Sequence, residues 1–124
     1  PRGLVVNMAD VLFDTGKYDL RAEAREKLAK LSGILSTHPG LELAVEGHTD
    51  STGTVQLNQT LSDQRAESVA NYLVEQGVPG KNVKSMGFAD SRPDADNSTT
   101  EGRQKNRRVE IIVSGEAIGT TIGK

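Results

Sequence analysis

The last patterned segment of the chain, RVEIIVS, restricts the possible folds more than any other stretch. Its apolar residues Val109, Ile111, Ile112 and Val113 would fall on both faces of a strand, because side chains alternate between faces. A strand that is apolar on both faces is typical of the inside of a sheet. The sequence therefore predicts a C-terminal strand at the centre of a sheet.

Three earlier segments also have strand patterns. Residues 4–13, LVVNMADVLF, are rich in the β-branched and apolar residues that favour strands. In the second segment, Leu41, Leu43 and Val45 alternate with more polar neighbours, as in a strand with one exposed face. The third, NVKSMGFA, is a shorter candidate at residues 82–89.

Two segments between these strands have the spacing of amphipathic helices. The first follows Asp19, which is placed to cap it, and ends at Pro39-Gly40. The second extends from about Val55 to Gln76, with Gly77 as its stop. Apolar residues recur at steps of three and four in both helices: Leu20, Ala24, Leu28, Leu31 and Leu35 in the first, and Leu57, Leu61, Ala66, Val69, Ala70 and Leu73 in the second.

The order of these elements predicts the fold class. The polar stretch Asp90–Asn106 is expected to be a long loop with a helical turn near Thr100–Gln104. Two helices cannot cover both faces of a four-stranded sheet, so the simplest packing is a two-layer α+β fold. Its loops after the first and second strands would leave the same edge of the sheet and bring residues 13–15 next to residues 48–53.

Length and composition exclude several classes of function. The 124 residues suit one domain, which we assign to residues 1–114, with a flexible tail at 115–124. A net charge of −2, with two Tyr, two Phe and no Trp, argues against nucleic-acid binding. The absence of Cys removes thiol nucleophiles and Cys-based zinc sites. The chain starts at Pro1 without a signal-like segment, so we expect a longer parent protein that carries any membrane anchor before Pro1.

The segment GHTDSTG at residues 47–53 contains the residue types of an active site. His48 and Asp50 could serve a serine nucleophile, but Ser51 and Ser62 lack the glycine-built surroundings of a nucleophile elbow. A metal site would be short of ligands, since the other histidine, His38, is at a helix end. We therefore expect no catalytic residue and no metal ligand here, and a scaffold histidine whose ring bonds to the backbone.

Arg65 carries more information than His48. It lies on the flank of the apolar stripe of the second helix, where an unpaired guanidinium would have a large desolvation penalty. Asp50, at the end of the preceding strand, lies in the same neighbourhood. One interpretation is a structural Asp50–Arg65 salt bridge. The other is a clamp for a zwitterion, in which Asp50 accepts an ammonium group, Arg65 holds a carboxylate, and Thr52 and Asn58 add neutral hydrogen bonds.

The segment GHTDSTGTVQLNQTLSDQRA resembles the signature of the OmpA-like domain, with GHTD, a following glycine, an asparagine and LSxxRA. VLFDTGKYDL, GFADSRP and EGRQKNRRVEI agree with the same family in order and spacing, so the resemblance covers residues 4–113. It implies a βαβαββ core whose mixed four-stranded sheet has the last strand between the first and second.

The resemblance also implies a function and its residues. It implies non-covalent binding of peptidoglycan through the diaminopimelate residue of the stem peptide, with Asp50 and Arg65 on its amino and carboxylate groups. Secondary contacts are implied at four matching positions: Asp14, Thr52, Asn58 and Arg107. Arg108 is expected to be structural. No cofactor is implied, and the domain would lie in the periplasm as part of an outer-membrane or envelope-anchored protein.

Two alternatives of other classes stay open at the level of sequence. The domain could be a module that docks on an envelope protein, or a hydrolase acting on the cell wall. The sequence also departs from the family pattern at Leu57, where many members have an aromatic residue beside the site.

Overall fold

A computed structural model describes residues 4–8, 20–38, 40–91, 93 and 95–115 of the protein. The described elements follow one another as β1 (Leu4–Met8), α1 (Ala22–Leu35), β2 (Glu42–His48), α2 (Val55–Glu75), β3 (Val83–Gly87), α3 (Thr100–Asn106) and β4 (Arg108–Ser114), with a 3-10 turn at Gly80–Asn82 before β3. No helix in this part of the chain is long and apolar enough to cross a membrane.

The four described strands form one mixed sheet in the order β1-β4-β2-β3. β4 pairs antiparallel with both β1 and β2, whereas β2 and β3 run parallel. The last strand is therefore central, between the first and second strands, and the prediction from its two apolar faces is confirmed. Six of its seven residues are buried, from Arg108 to Val113.

The core lies on one face of the sheet. Leu43 and Val45 of β2 and Val109, Ile111 and Val113 of β4 point to this face and are buried. The buried stripes of both long helices join the same cluster: Ala24, Leu28 and Leu35 from α1, and Ala66, Val69, Ala70 and Leu73 from α2. Because both helices pack on the same face, the predicted two-layer α+β fold is confirmed.

Local details differ from the predictions. The N-cap of α1 is Arg21, without a side-chain capping bond, so the cap predicted at Asp19 is wrong. Leu57 is 68% exposed and does not belong to the buried stripe of α2. The helical turn predicted near Thr100–Gln104 is present and extends further than predicted, as the helix α3, which Thr99 caps by accepting from the backbone N–H of Gly102. The contact between residues 13–15 and residues 48–53, and the tail at 116–124, fall outside the described residues.

α2 crosses β2 at very short range because Gly47 has no side chain. A Cβ atom placed on Gly47 would lie 2.2 Å from the carbonyl oxygen of Ser62. On the helix side, Ser62 is fully buried, and its hydroxyl accepts from the backbone N–H of Ala89 at 3.0 Å. This close approach fixes the start of α2 against the end of β2, where the candidate site residues lie.

Gly47→Ala is expected to lower the free energy of unfolding by about 1–3 kcal/mol, because the added methyl group meets backbone atoms that cannot move aside. Gly33→Ala is the matched control, since Gly33 lies in α1 with nothing within 4 Å of an added Cβ. This second change should be neutral or stabilise by up to about 1 kcal/mol. Urea unfolding of both variants tests the prediction, and equal midpoints would contradict it.

Candidate functional site

The carboxylate of Asp50 is held at the point where the chain leaves β2. Its Oδ1 accepts a hydrogen bond of 2.8 Å from the backbone N–H of Thr52. The side-chain amide of Asn58, in the first turns of α2, donates to the Thr52 carbonyl at 2.9 Å and to the Asp50 carbonyl at 3.4 Å. Thr54 caps the same helix by accepting from the backbone N–H of Leu57. The loop is thus tied to the helix that follows it.

The second oxygen of Asp50 pairs with Arg107, 57 residues further along the chain. The guanidinium Nη1 lies 2.5 Å from Oδ2. The Asp50 side chain is 8% exposed, whereas the Arg107 side chain is 32% exposed and reaches solvent. The ionic partner that the structure describes for Asp50 is therefore Arg107, and not Arg65 as in the salt bridge considered from the sequence.

The surroundings of Asp50 favour its ionised form. Burial raises the pKa of the carboxyl, but the hydrogen bonds from the Thr52 backbone and from the Arg107 guanidinium, together with the charge of Arg107, outweigh this effect. The pKa therefore lies below its usual value of 3.8. Asp50 is an anion at neutral pH, as a binding site for an ammonium group requires.

Arg65 lies on the face of α2 that packs against the sheet, and it is 5% exposed. Ser62 and Asn58 are buried on the same face, about one and two turns closer to the start of the helix, respectively. Arg65 therefore shares a buried helix face with Asn58, whose amide bonds to the loop that carries Asp50.

The structure thus brings most of the predicted site residues to one end of the sheet. Asp50, Thr52, Asn58 and Arg107 are joined by the hydrogen bonds given above, and Arg65 is buried on the adjoining helix. Asp14 falls outside the described residues. Their roles in binding a ligand remain predictions. The two arginines that the sequence could not separate lie in different places, because Arg107 reaches Asp50 and Arg108 does not.

Arg108 belongs to a group of buried charges on the sheet face opposite the helices. Its Nε donates to Glu110 Oε2 at 2.6 Å. In the register of β2 with β4, Glu46 faces Glu110 and His48 faces Arg108. The ring of His48 stacks on Phe88 with centroids 5.5 Å apart, and its Nε2 lies 3.8 Å from Glu46 Oε1. The described contacts of the ring are with side chains, and the backbone hydrogen bond predicted for it is not among them.

This charge cluster was missed in the sequence, although a signal was present. Glu110 interrupts an otherwise apolar central strand, and a buried carboxylate requires a partner; Arg108, two residues earlier, is on the same face. Ligand atoms of Glu46, His48 and Glu110 all lie within 4.8 Å of one another, a spacing that could hold a metal ion. Arg108 already supplies one positive charge to this group.

Ser62, His48 and Asp50 do not form the catalytic triad of a serine hydrolase. Ser62 is 0% exposed, and its hydroxyl donates to the Gln59 carbonyl while accepting from the Ala89 N–H. The imidazole of His48 contacts Glu46 and Phe88, whereas the carboxylate of Asp50 contacts Thr52 and Arg107. His48 and Asp50 therefore act in two different networks.

Comparison with known proteins gives consistent results. The model of the OmpA family matches residues 12–107. The chain is 45% identical to outer membrane porin F of Pseudomonas aeruginosa over 109 residues, which are 87% of this chain and 31% of the porin. It is 44% identical to the peptidoglycan-binding protein ArfA of Mycobacterium tuberculosis over 89 residues, 72% of this chain and 27% of ArfA. It thus spans less than a third of the length of these relatives.

Among solved structures, the cell wall anchor of the T6SS from Pseudomonas aeruginosa superimposes with a TM-score of 0.80. The two proteins are 32% identical, and the match covers 90% of this chain and 80% of the anchor. The similarity in sequence and that in fold therefore point to the same group of proteins.

The lowered pKa of Asp50 predicts how stability depends on pH. A carboxyl with a lower pKa in the folded state stabilises the fold above its unfolded pKa, and this contribution is lost as the pH falls through the folded pKa. Asp50→Asn should therefore be less stable than the wild type at pH 7, and the difference should shrink at pH 2. Urea unfolding at both pH values measures it. Glu67→Gln, an exposed site on α2, controls for the loss of one negative charge. A difference that does not change with pH would contradict the prediction.

Proposed function

Because this chain is a member of the OmpA family, we propose that it binds peptidoglycan without cleaving it, through the diaminopimelate residue of the stem peptide. Such binding would anchor the outer membrane or an envelope complex to the cell wall from the periplasmic side. The observation that carries the proposal is the buried, ionised carboxylate of Asp50 at the exit of β2, beside a half-exposed arginine.

The carboxylate of Asp50 retains capacity for a ligand cation. Each carboxylate oxygen can accept two hydrogen bonds. Oδ1 accepts the described bond from Thr52, and Oδ2 accepts the one from Arg107. The ammonium group of the diaminopimelate side chain would take one of the remaining positions. The carboxylate of the diaminopimelate residue would be held by Arg65, whose planar guanidinium suits two parallel hydrogen bonds.

The burial of both residues supports this role. Asp50 is 6% exposed and Arg65 is 5% exposed, so charges in this region are poorly screened by water. A ligand that presents opposite charges at the right spacing would gain from both residues. A neutral ligand would gain no charge-assisted hydrogen bond from either residue, which favours a zwitterion.

The relatives support the coarser part of the proposal. ArfA is named as a peptidoglycan-binding protein, and the superimposed structure is described as a cell wall anchor. Both names describe attachment. The internal hydrogen bonds of Ser62 agree with attachment, because they leave this serine hydroxyl without access to a substrate.

Co-sedimentation with purified sacculi tests the two charged residues of the clamp, Asp50 and Arg65. Asp50→Asn and Arg65→Lys should each weaken binding by about 10- to 100-fold, since a charge-assisted hydrogen bond contributes roughly 1.5–3 kcal/mol. Glu67→Gln and Arg25→Lys are matched controls on exposed helix positions, and they should bind like the wild type. Circular dichroism checks that each variant is folded. If folded Asp50→Asn and Arg65→Lys bind like the wild type, the clamp is wrong.

A second set of sacculi tests the ligand itself. Walls that contain lysine in place of diaminopimelate lack one carboxylate, so they should bind at least about 10-fold more weakly. Equal binding to both walls would contradict the diaminopimelate assignment and leave general wall binding intact. Failure of the wild type to sediment with either wall would favour docking on an envelope protein. Release of soluble muropeptides during the incubation would show a hydrolase.

A further inference from the structure

Asn106, the last residue of α3, is fully buried, and its side-chain amide makes three described hydrogen bonds. Its Oδ1 accepts from the backbone N–H of Ala95 at 2.8 Å, and its Nδ2 donates to the Ala95 carbonyl at 2.9 Å. Nδ2 also donates to Asn97 Oδ1 at 2.8 Å. The amide therefore satisfies both backbone groups of Ala95, much as a neighbouring strand would do.

These bonds close residues 95–106 into one unit. Arg103 donates to the Asn97 carbonyl at 3.0 Å, and Thr99 caps α3. Gly102 lies against the backbone of Asp96, where an added Cβ would be 1.7 Å from the carbonyl oxygen. The segment before α3 is thus packed on the helix, and Asn106 holds its far end.

The residue after Asn106 is Arg107, which donates to Asp50. The backbone N–H of Arg107 bonds to the Arg103 carbonyl at 3.1 Å, so its main chain continues from α3. One residue later, Arg108 begins β4 and donates to the Asn106 carbonyl at 3.3 Å. Three consecutive side chains therefore take three directions: toward Ala95, toward Asp50 and toward Glu110. The hydrogen bonds of Asn106 therefore fix the backbone position from which the Arg107 side chain extends.

We propose that Asn106 is a positioning residue: it holds the end of α3 on residues 95–97 and so places the guanidinium of Arg107 on the carboxylate of Asp50. Its consequence for ligand binding rests on the function proposed above. The arrangement makes the charge beside Asp50 depend on residues that lie outside the site, so a change at Asn106 acts on Asp50 through Arg107.

Carboxyl ¹³C NMR titration of Asp50 tests this proposal without any ligand. Arg107→Ala removes a hydrogen bond and a positive charge, so the pKa of Asp50 should rise toward 3.8. Asn106→Ala should raise it as well, and the double variant should show no further rise over Arg107→Ala. Leu28→Ala in the core of α1 lowers stability away from the site, and it should leave the titration of Asp50 unchanged.

An unchanged titration in folded Asn106→Ala, or a further rise in the double variant, would overturn the proposal and leave Asn106 a purely structural residue. If Asn106→Ala does not fold, Asn97→Ala replaces it, since it removes one of the three described bonds of the Asn106 amide. Asn97→Ala should raise the pKa of Asp50 by less than Asn106→Ala would, and it should have no effect when Arg107 is already replaced by Ala. An unchanged pKa of Asp50 in Asn97→Ala would again overturn the proposal.

Sacculus binding adds a functional readout. Asn106→Ala and Arg107→Ala should change binding by the same factor, and the double variant should match the single ones. Unequal factors would overturn the link from Asn106 to the ligand. A wild type that does not bind sacculi would contradict the proposed function, while the NMR titration still decides the positioning role.

Discussion

The antiparallel pairing of β4 with β2 is the constraint on which the rest of the structure depends. The last pair in this register is His48 with Arg108. Because the strands run in opposite directions, the residues that precede Arg108 lie beside those that follow His48. Arg107 is thereby placed next to the loop that carries Asp50, although 57 residues separate them. The register of β4 with β2 therefore determines both the centre of the sheet and the position of the candidate site.

The same register distributes two consecutive arginines to different environments. Arg108 is 5% exposed at its side chain and pairs with Glu110, whereas Arg107 is 32% exposed and pairs with Asp50. Arg108 and Glu110 lie on the same strand, and removing either partner would leave an uncompensated buried charge. The Arg107 pair is open to solvent at its cationic end. This difference in exposure agrees with a structural role for one arginine and a ligand-facing role for the other.

Patterns along single elements predicted the fold well, because the apolar and polar residues of one short segment show whether one or both faces of a strand are buried. β4 was predicted with its observed ends, and its central place followed from Val109, Ile111 and Ile112. The start of α1 was less predictable than its stripe, since its N-cap is Arg21, two residues after the Asp19 that the sequence favoured. The Asp50–Arg107 bond could not be derived from spacing, since it depends on the pairing of two strands that are far apart in the sequence. For the same reason Arg65 was the more obvious partner: it is near in sequence.

The pairing of Asp50 with Arg107 also limits how tightly the proposed clamp can hold a single stem peptide. A ligand ammonium would meet a carboxylate that already has a hydrogen-bonded guanidinium, and its net gain is the difference between the two arrangements. The affinity of one site is therefore expected to be modest. Peptidoglycan repeats the same peptide over its whole surface, so a membrane that carries many copies of the domain would bind by multivalency, and its attachment would exceed the affinity of any one copy. Modest sites suit such an anchor because single contacts can exchange while the two layers stay attached.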